Sequence, residues 1–202
     1  SFDVDYESSI ISYNKMFIAY MNLFKKMGLK AIPMKADTGP IGGDLSHEFI
    51  IIAETGESEV YLEKELLSFD GILNEVNYDS NLQDMVDKYT SFYAATDEKH
   101  DPKAYNKDLN NLIKSRGIEV GHIFHFGQKY SKPMQANINT NIGNNIPAYM
   151  GSYGVGLSRL VGAVIEANHD EKGIIWPKEL TPWYYNLINL KNGDDDCDNV
   201  CY

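Results

Sequence analysis

The sequence predicts an α+β fold, an antiparallel sheet with flanking helices. Two helical patterns and a series of strands joined by short turns predict it. Residues 6–27 place apolar side chains at Ile10, Tyr13, Phe17, Tyr20, Phe24 and Met27. Leu157, Leu160, Val161, Val164 and Ile165 keep the spacing of a helix with one buried face. Between them lie Ile-rich runs divided by Thr55-Gly56 and by Asn141-Ile-Gly-Asn-Asn145, and strands joined by such turns run antiparallel.

In chain order, Gly28 follows the first helix as its C-terminal cap. Leu29 to Ala36 reads as a short strand. Asp37-Thr-Gly-Pro-Ile-Gly-Gly-Asp-Leu45 is a loop punctuated by Pro40 and three glycines. Ser46 to Glu54 is a strand, and Ser58 to Glu63 returns from it as a second. The Glu- and Asn-rich residues from Lys64 to Ser115 read as two or three short helices in polar loops, a small insertion. Ile118 to Phe126 returns to strand, and Lys132 to Thr140 and Ile146 to Tyr153 give two more before the second helix. Asn168 to Pro177 leads away from the core, and Tyr184 to Leu190 reads as one further strand. The expected division is a core in two parts, residues 1–63 and 116–182, an insertion at 64–115, and at 183–202 the start of a further domain that is cut off.

The chain has 202 residues and a net charge of −11 with no basic stripe, which disfavours an extended nucleic-acid surface on this piece. No apolar run approaches the ~20 residues that span a bilayer, and no signal-peptide pattern opens the chain, so no membrane partner is expected. The two cysteines, Cys197 and Cys201, lack the neighbouring histidines that would close a metal shell. They form no disulfide framework, and a cytoplasmic protein is the expectation.

The densest chemical signal is Gly151-Ser-Tyr-Gly-Val-Gly-Leu-Ser-Arg159 at the start of the second helix. Gly151, Gly154 and Gly156 remove three side chains, so a flat ligand can lie on the backbone. The helix start favours anions, and the Arg159 guanidinium matches phosphate oxygens. A P-loop would need lysine where Leu157 stands, and a dinucleotide fingerprint would need glycine at Arg159. A glycine-rich turn beside a salt-bridged surface arginine fits the same residues.

This stretch resembles motif 3 of the class II aminoacyl-tRNA synthetases. Three flanking blocks are similar to the prolyl-tRNA synthetases of bacterial type: Asp37 to Phe49, Gly117-Ile-Glu-Val-Gly-His-Ile-Phe-His-Phe-Gly-Gln-Lys-Tyr-Ser131, and His169-Asp-Glu-Lys-Gly-Ile-Ile-Trp-Pro177. They occur in that family's order and cover nearly the whole chain. The resemblance implies a partial class II catalytic core whose complete form activates proline with ATP and Mg2+, transfers it to tRNA(Pro) and is a homodimer. It implies that Arg159 meets the ATP γ-phosphate or adenine region, that Gly154 and Gly156 line the nucleotide floor, and that Glu119 sits near ATP and its magnesium. His122 would bound both ATP and proline, with Phe124, Ser46, His47, Glu48 and Ser152 around the proline pocket.

Simpler readings compete for several of these residues. His122 and Phe124 share a predicted strand face with Ile118, Val120 and Phe126 and fit a core role. His47 fits a satisfied strand histidine, Glu48 a pair with Lys35, and His125 a position facing solvent or a helix. Motifs 1 and 2 are not visible, so this piece is expected to be inactive alone. The short insertion implies no editing of mischarged tRNA in cis. The alternatives are a non-catalytic synthetase-like binding module or another class II synthetase.

Overall fold

The computed structural model describes every residue except 72, 74 and 202. The long helix α1 spans Tyr6–Lys26. Asp5 and Ser8 close a capping box at its start, with the Ser8 N–H on Asp5 Oδ1 at 2.7 Å. Lys25 and Lys26 sit in its last turn, where the dipole favours cations, and Gly28 takes the left-handed φ of 70° that ends it.

The strands are β1 (Phe2–Asp3), β2 (Ala31–Lys35), β3 (Leu45–Ile52), β4 (Ser58–Glu63), β5 (Ala94–Thr96), β6 (Leu112–Gly127), β7 (Asn137–Asn139), β8 (Asn145–Pro147), β9 (Tyr149–Val155), β10 (His169–Asp170) and β11 (Gly173–Ile174). The other helices are α2 (Glu65–Ser68), α3 (Gln83–Thr90), α4 (Ser131–Met134), α5 (Leu157–Ala167) and α6 (Asp195–Cys201). The main sheet runs β1-β9-β6-β3-β2-β5-β4, and β4 also pairs with β6, so five of these strands close into a ring. Every pairing is antiparallel except β2 with β5.

Two cores follow from the two faces of these strands. Ile32, Met34, Ile50, Val60, Leu62 and Ala94 fill the ring. On the opposite face α1 lays Tyr13, Phe17, Tyr20 and Phe24 over Phe49, Ile51, Ile118 and Ile123. Phe17, Phe24 and Phe49 are fully buried, each contributing about 1.5–3 kcal/mol relative to exposure. No helix among the described residues is long and apolar enough to cross a membrane.

The α+β class and antiparallel sheet are as the sequence predicts, and several elements differ. Residues 64–115 are not helices and loops alone: β5 inserts between β2 and β4, and β6 already begins at Leu112. Residues 131–134 form α4 rather than the start of a strand, which leaves only Asn137–Asn139 to pair with β8 across the expected turn. The run from Ile146 is divided at Ala148 into β8 and β9. Tyr184 to Leu190 forms no strand. Its apolar side chains stand exposed with no sheet partner among the described residues, and an unpaired strand leaves its backbone groups unsatisfied.

Candidate functional site

β3 and β6 run on past the ring, where the face that was its interior opens and turns polar. Cross-strand pairing sets the rows. Ser46, Phe124 and Ser152 lie side by side across β3, β6 and β9, and Glu48, His122 and Gly154 form the next row. Glu119 stands opposite Ile50, one step toward the ring. In a regular strand Glu119 and His122 would face opposite ways. The register shift between Phe49 and Ile50 leaves Val120 as an extra residue, a β-bulge that brings them to one face.

That bulge corrects the predicted face of β6. Ile118, Val120 and Ile123 pack under α1, while His122 and Phe124 lie on the open face, so these two are not core residues. His122 Nδ1 is 3.2 Å from Glu119 Oε1 and 3.8 Å from Glu48 Oε1, and Nε2 is 2.5 Å from Ser46 Oγ. Nδ1–H donates to Glu119, and Nε2 shares a second hydrogen bond with the Ser46 hydroxyl. The Phe124 ring stacks on His122 with centroids 3.8 Å apart. The hydrogen bond from His122 is the largest influence on the Glu119 carboxyl and holds it below its usual range. Burial, then the Glu119 charge, pushes the Glu48 carboxyl up to about 7.

α5 closes the cleft. Gly156 at its N-cap donates its N–H to Val120 O at 3.0 Å, and Arg159 Nη1 donates to Glu119 O at 3.1 Å, so the bulge carbonyls fix the helix start. Arg159 Nη1 also lies 2.9 Å from Glu57 Oε1 and 3.7 Å from Glu119 Oε2, with about half its side chain exposed. A cleft of about 300 Å³ lies between Glu119, His122, Gly154, Gly156 and Arg159. A Cβ added at Gly154 would meet no atom within 4 Å, so packing does not require glycine there. One oxygen or nitrogen each from Glu48, Glu119 and His122 lies within 4.8 Å of the others, a set that can hold a cation. A second, mostly apolar cavity of about 250 Å³ between the end of α1, β2 and Phe69 is remote from these groups.

Nine of the ten residues singled out in the sequence thus meet on one surface. His47 is the exception. Alternation turns it under α1, where Nδ1 bonds Tyr13 Oη at 2.7 Å and burial pushes its pKa down to about 4. His125 takes the helix-facing alternative rather than the solvent-facing one: it is buried under α1, with Nε2 on Ser9 Oγ at 2.8 Å. Glu48 faces His122 rather than pairing with Lys35. Sequence reasoning missed Glu57, which lies on the β3–β4 turn 102 positions from Arg159 and carries no local signal of that contact.

No family model matches the chain. Individual proteins match it along its whole length. It is 54% identical over 202 residues to a proline–tRNA ligase of Maricaulis maris, covering 100% of this chain and 46% of that one. It is 56% identical over 201 residues to that of Rhodospirillum rubrum, with the same coverage. It is 53% identical over 204 residues to that of Bartonella tribocorum, again 100% and 46%. The chain spans about half the length of the curated relatives it matches, and over its full length it is similar to that part of the proline–tRNA ligases.

Proposed function

We propose that the chain is a partial class II synthetase core and that the complete protein activates proline with ATP and passes it to tRNA(Pro). Arg159, Glu119, His122 and Gly154 around one cleft carry this reading. ATP fits with its base or phosphates against the open backbone at Gly154 and Gly156, and its negative charge on Arg159 and the α5 N-terminus. Arg159 can exchange its exposed bond to Glu57 for a phosphate oxygen. Mg2+ travelling with ATP would neutralise phosphate charge, and the carboxylates of Glu119 and Glu48 are the oxygens to meet it. The proline ring fits the wall made by His122 and Phe124, flanked by Ser46 and Ser152, with Glu48 nearby for the secondary ammonium. His47 supports that wall from beneath.

In the first step a proline carboxylate oxygen bonds to the α-phosphorus as the bond to the bridging oxygen breaks, and pyrophosphate leaves with that electron pair. In the second, a terminal ribose hydroxyl of the tRNA attacks the prolyl carbonyl and AMP leaves. This chain's residues supply positioning and charge neutralisation. In this reading residues 64–115, whose β5 and start of β6 belong to the ring, are too short to hold an editing domain in cis. The −11 charge fits tRNA contacts made by the rest of a cytoplasmic homodimer. The test is proline-dependent ATP–pyrophosphate exchange by the full-length protein, with the other amino acids as controls. Exchange with proline alone is expected. A folded protein that exchanges with no amino acid would sink the reading.

A further inference from the structure

We propose that Lys129 and Tyr130 are positioning residues that latch the loop of residues 37–44 against the aromatic end of the site and so set its affinity for the amino acid. The inference rests on the proline-activation reading. Lys129 and Tyr130 follow β6, and their side chains reach back about ninety positions to the loop before β3. Lys129 Nζ donates to Ile41 O at 2.5 Å and lies 3.4 Å from Pro40 O, and Tyr130 Oη donates to Ile41 O at 2.5 Å. Two donors thus meet on one loop carbonyl.

Glycine makes that approach possible. Gly42 has φ 71°, and a Cβ there would run into Lys129 Nζ; at Gly43, φ 126°, a Cβ would lie 2.5 Å from His125 O and 3.3 Å from the Phe126 ring. The loop is therefore seated on Phe126, and Phe126 continues the stack of Phe124 and His122 with a 5.5 Å centroid spacing to Phe124. Tyr130 packs edge-on against Phe126 at 5.0 Å and takes Lys129 Nζ 5.5 Å from its own ring centroid. Asp44 N–H on His125 O at 2.9 Å delivers the chain directly into Leu45 and Ser46, the bond partner of His122. A loop freed at Ile41 would free the end of the site that Ser46 and Phe124 form, while Arg159 and Gly156 are tied to the Glu119–Val120 bulge instead.

The test uses the full-length ligase that contains this chain, as wild type, the double variant Lys129→Met/Tyr130→Phe, and Lys129→Arg. Pyrophosphate exchange gives KM for proline and for ATP, and amide hydrogen exchange reads residues 42–44. The double variant is expected to raise the proline KM about tenfold and to hold the ATP KM and kcat within about twofold. Its loop amides should exchange faster, and Lys129→Arg, which keeps a cationic donor beside the loop, should stay close to wild type in both readouts. Unchanged loop exchange would show that no latch exists. Faster loop exchange with an unchanged proline KM would show that the latched loop plays no part in amino-acid affinity. A wild type that activates no amino acid would refute the activation reading instead, and the amide-exchange arm would still decide the latch.

Discussion

Replacing Glu48 with glutamine should change the pH dependence of stability in a way no other residue of the site would. The Glu48 side chain is 16% exposed, and burial, followed by the Glu119 charge, raises its carboxyl from 4.5 to about 7 against the opposing pull of His122. A carboxyl raised on folding contributes its full stability below pH 4.5, where both states carry the proton; between pH 4.5 and about 7 the unfolded state ionises while the folded state holds its proton, and the contribution is lost as pH rises through about 7. At about 1.36 kcal/mol per pH unit, the loss is about 3 kcal/mol. His47, next in sequence, works in the opposite direction. Burial lowers it from 6.5 to about 4, so its stability is present above pH 6.5 and lost as pH falls through about 4. The two contributions oppose each other between these limits and flatten the wild-type curve. Urea unfolding of wild type and Glu48→Gln at half-unit steps from pH 4 to 8 separates them, because the difference curve retains only Glu48. The variant should gain about 3 kcal/mol on the wild type between pH 4.5 and 7. A flat difference curve would mean that Glu48 titrates as an ordinary surface acid and that the acidic cluster is not electrostatically crowded.

Arg159→Ala should slow pyrophosphate exchange about 10²–10³-fold in the full-length protein. Its half-exposed pair with Glu57 implies a stability loss within about 1 kcal/mol after screening; a rate within about fivefold of wild type would remove Arg159 from the phosphate role. Gly154→Ala should leave the melting temperature unmoved, since its Cβ enters open space, yet raise the KM for ATP by filling the cleft floor. An unchanged KM there would show that the nucleotide does not lie against β9. Gly56→Ala drives a Cβ into the Gly117 backbone and should cost about 1–3 kcal/mol in urea unfolding; a neutral result would contradict the close crossing of the β3–β4 turn over β6.

What the sequence made legible was whatever depends on local period. The helix at Tyr6–Lys26 was readable to within a residue because apolar spacing and Gly28 coincide. The second helix was equally plain, although Leu157 and Val161 are 75% and 56% exposed, so only part of its apolar stripe is buried within this chain. Ring closure was not legible. It depends on the three residues of β5, two of them alanine, pairing in parallel with β2 across some sixty positions. The segment from Tyr184 shows the converse failure: Tyr184, Tyr185, Leu187 and Ile188 have strand composition, but composition supplies no pairing partner.

The site shows why period alone could name its residues without arranging them. Alternation along β6 places His122 with Ile118 and Val120, a core face, and sets Glu119 apart from it. One unpaired residue at Val120 reverses that phase: His122 comes within 3.2 Å of Glu119, and Ile123 takes the place under α1. A trace of this was present in the sequence as Gly121, since glycine inside a strand marks a bulge or a close approach. Here it marks both, for a Cβ at Gly121 would lie 3.2 Å from the Tyr20 ring and 3.3 Å from Gly154 O. The same bulge presents the carbonyls of Glu119 and Val120 to Arg159 and Gly156. A carboxylate, an imidazole, a guanidinium and the start of a helix are therefore brought together by a valine with no functional group of its own, and the His122–Phe124 wall and the Gly154–Gly156 floor of the cleft are set by a single backbone irregularity.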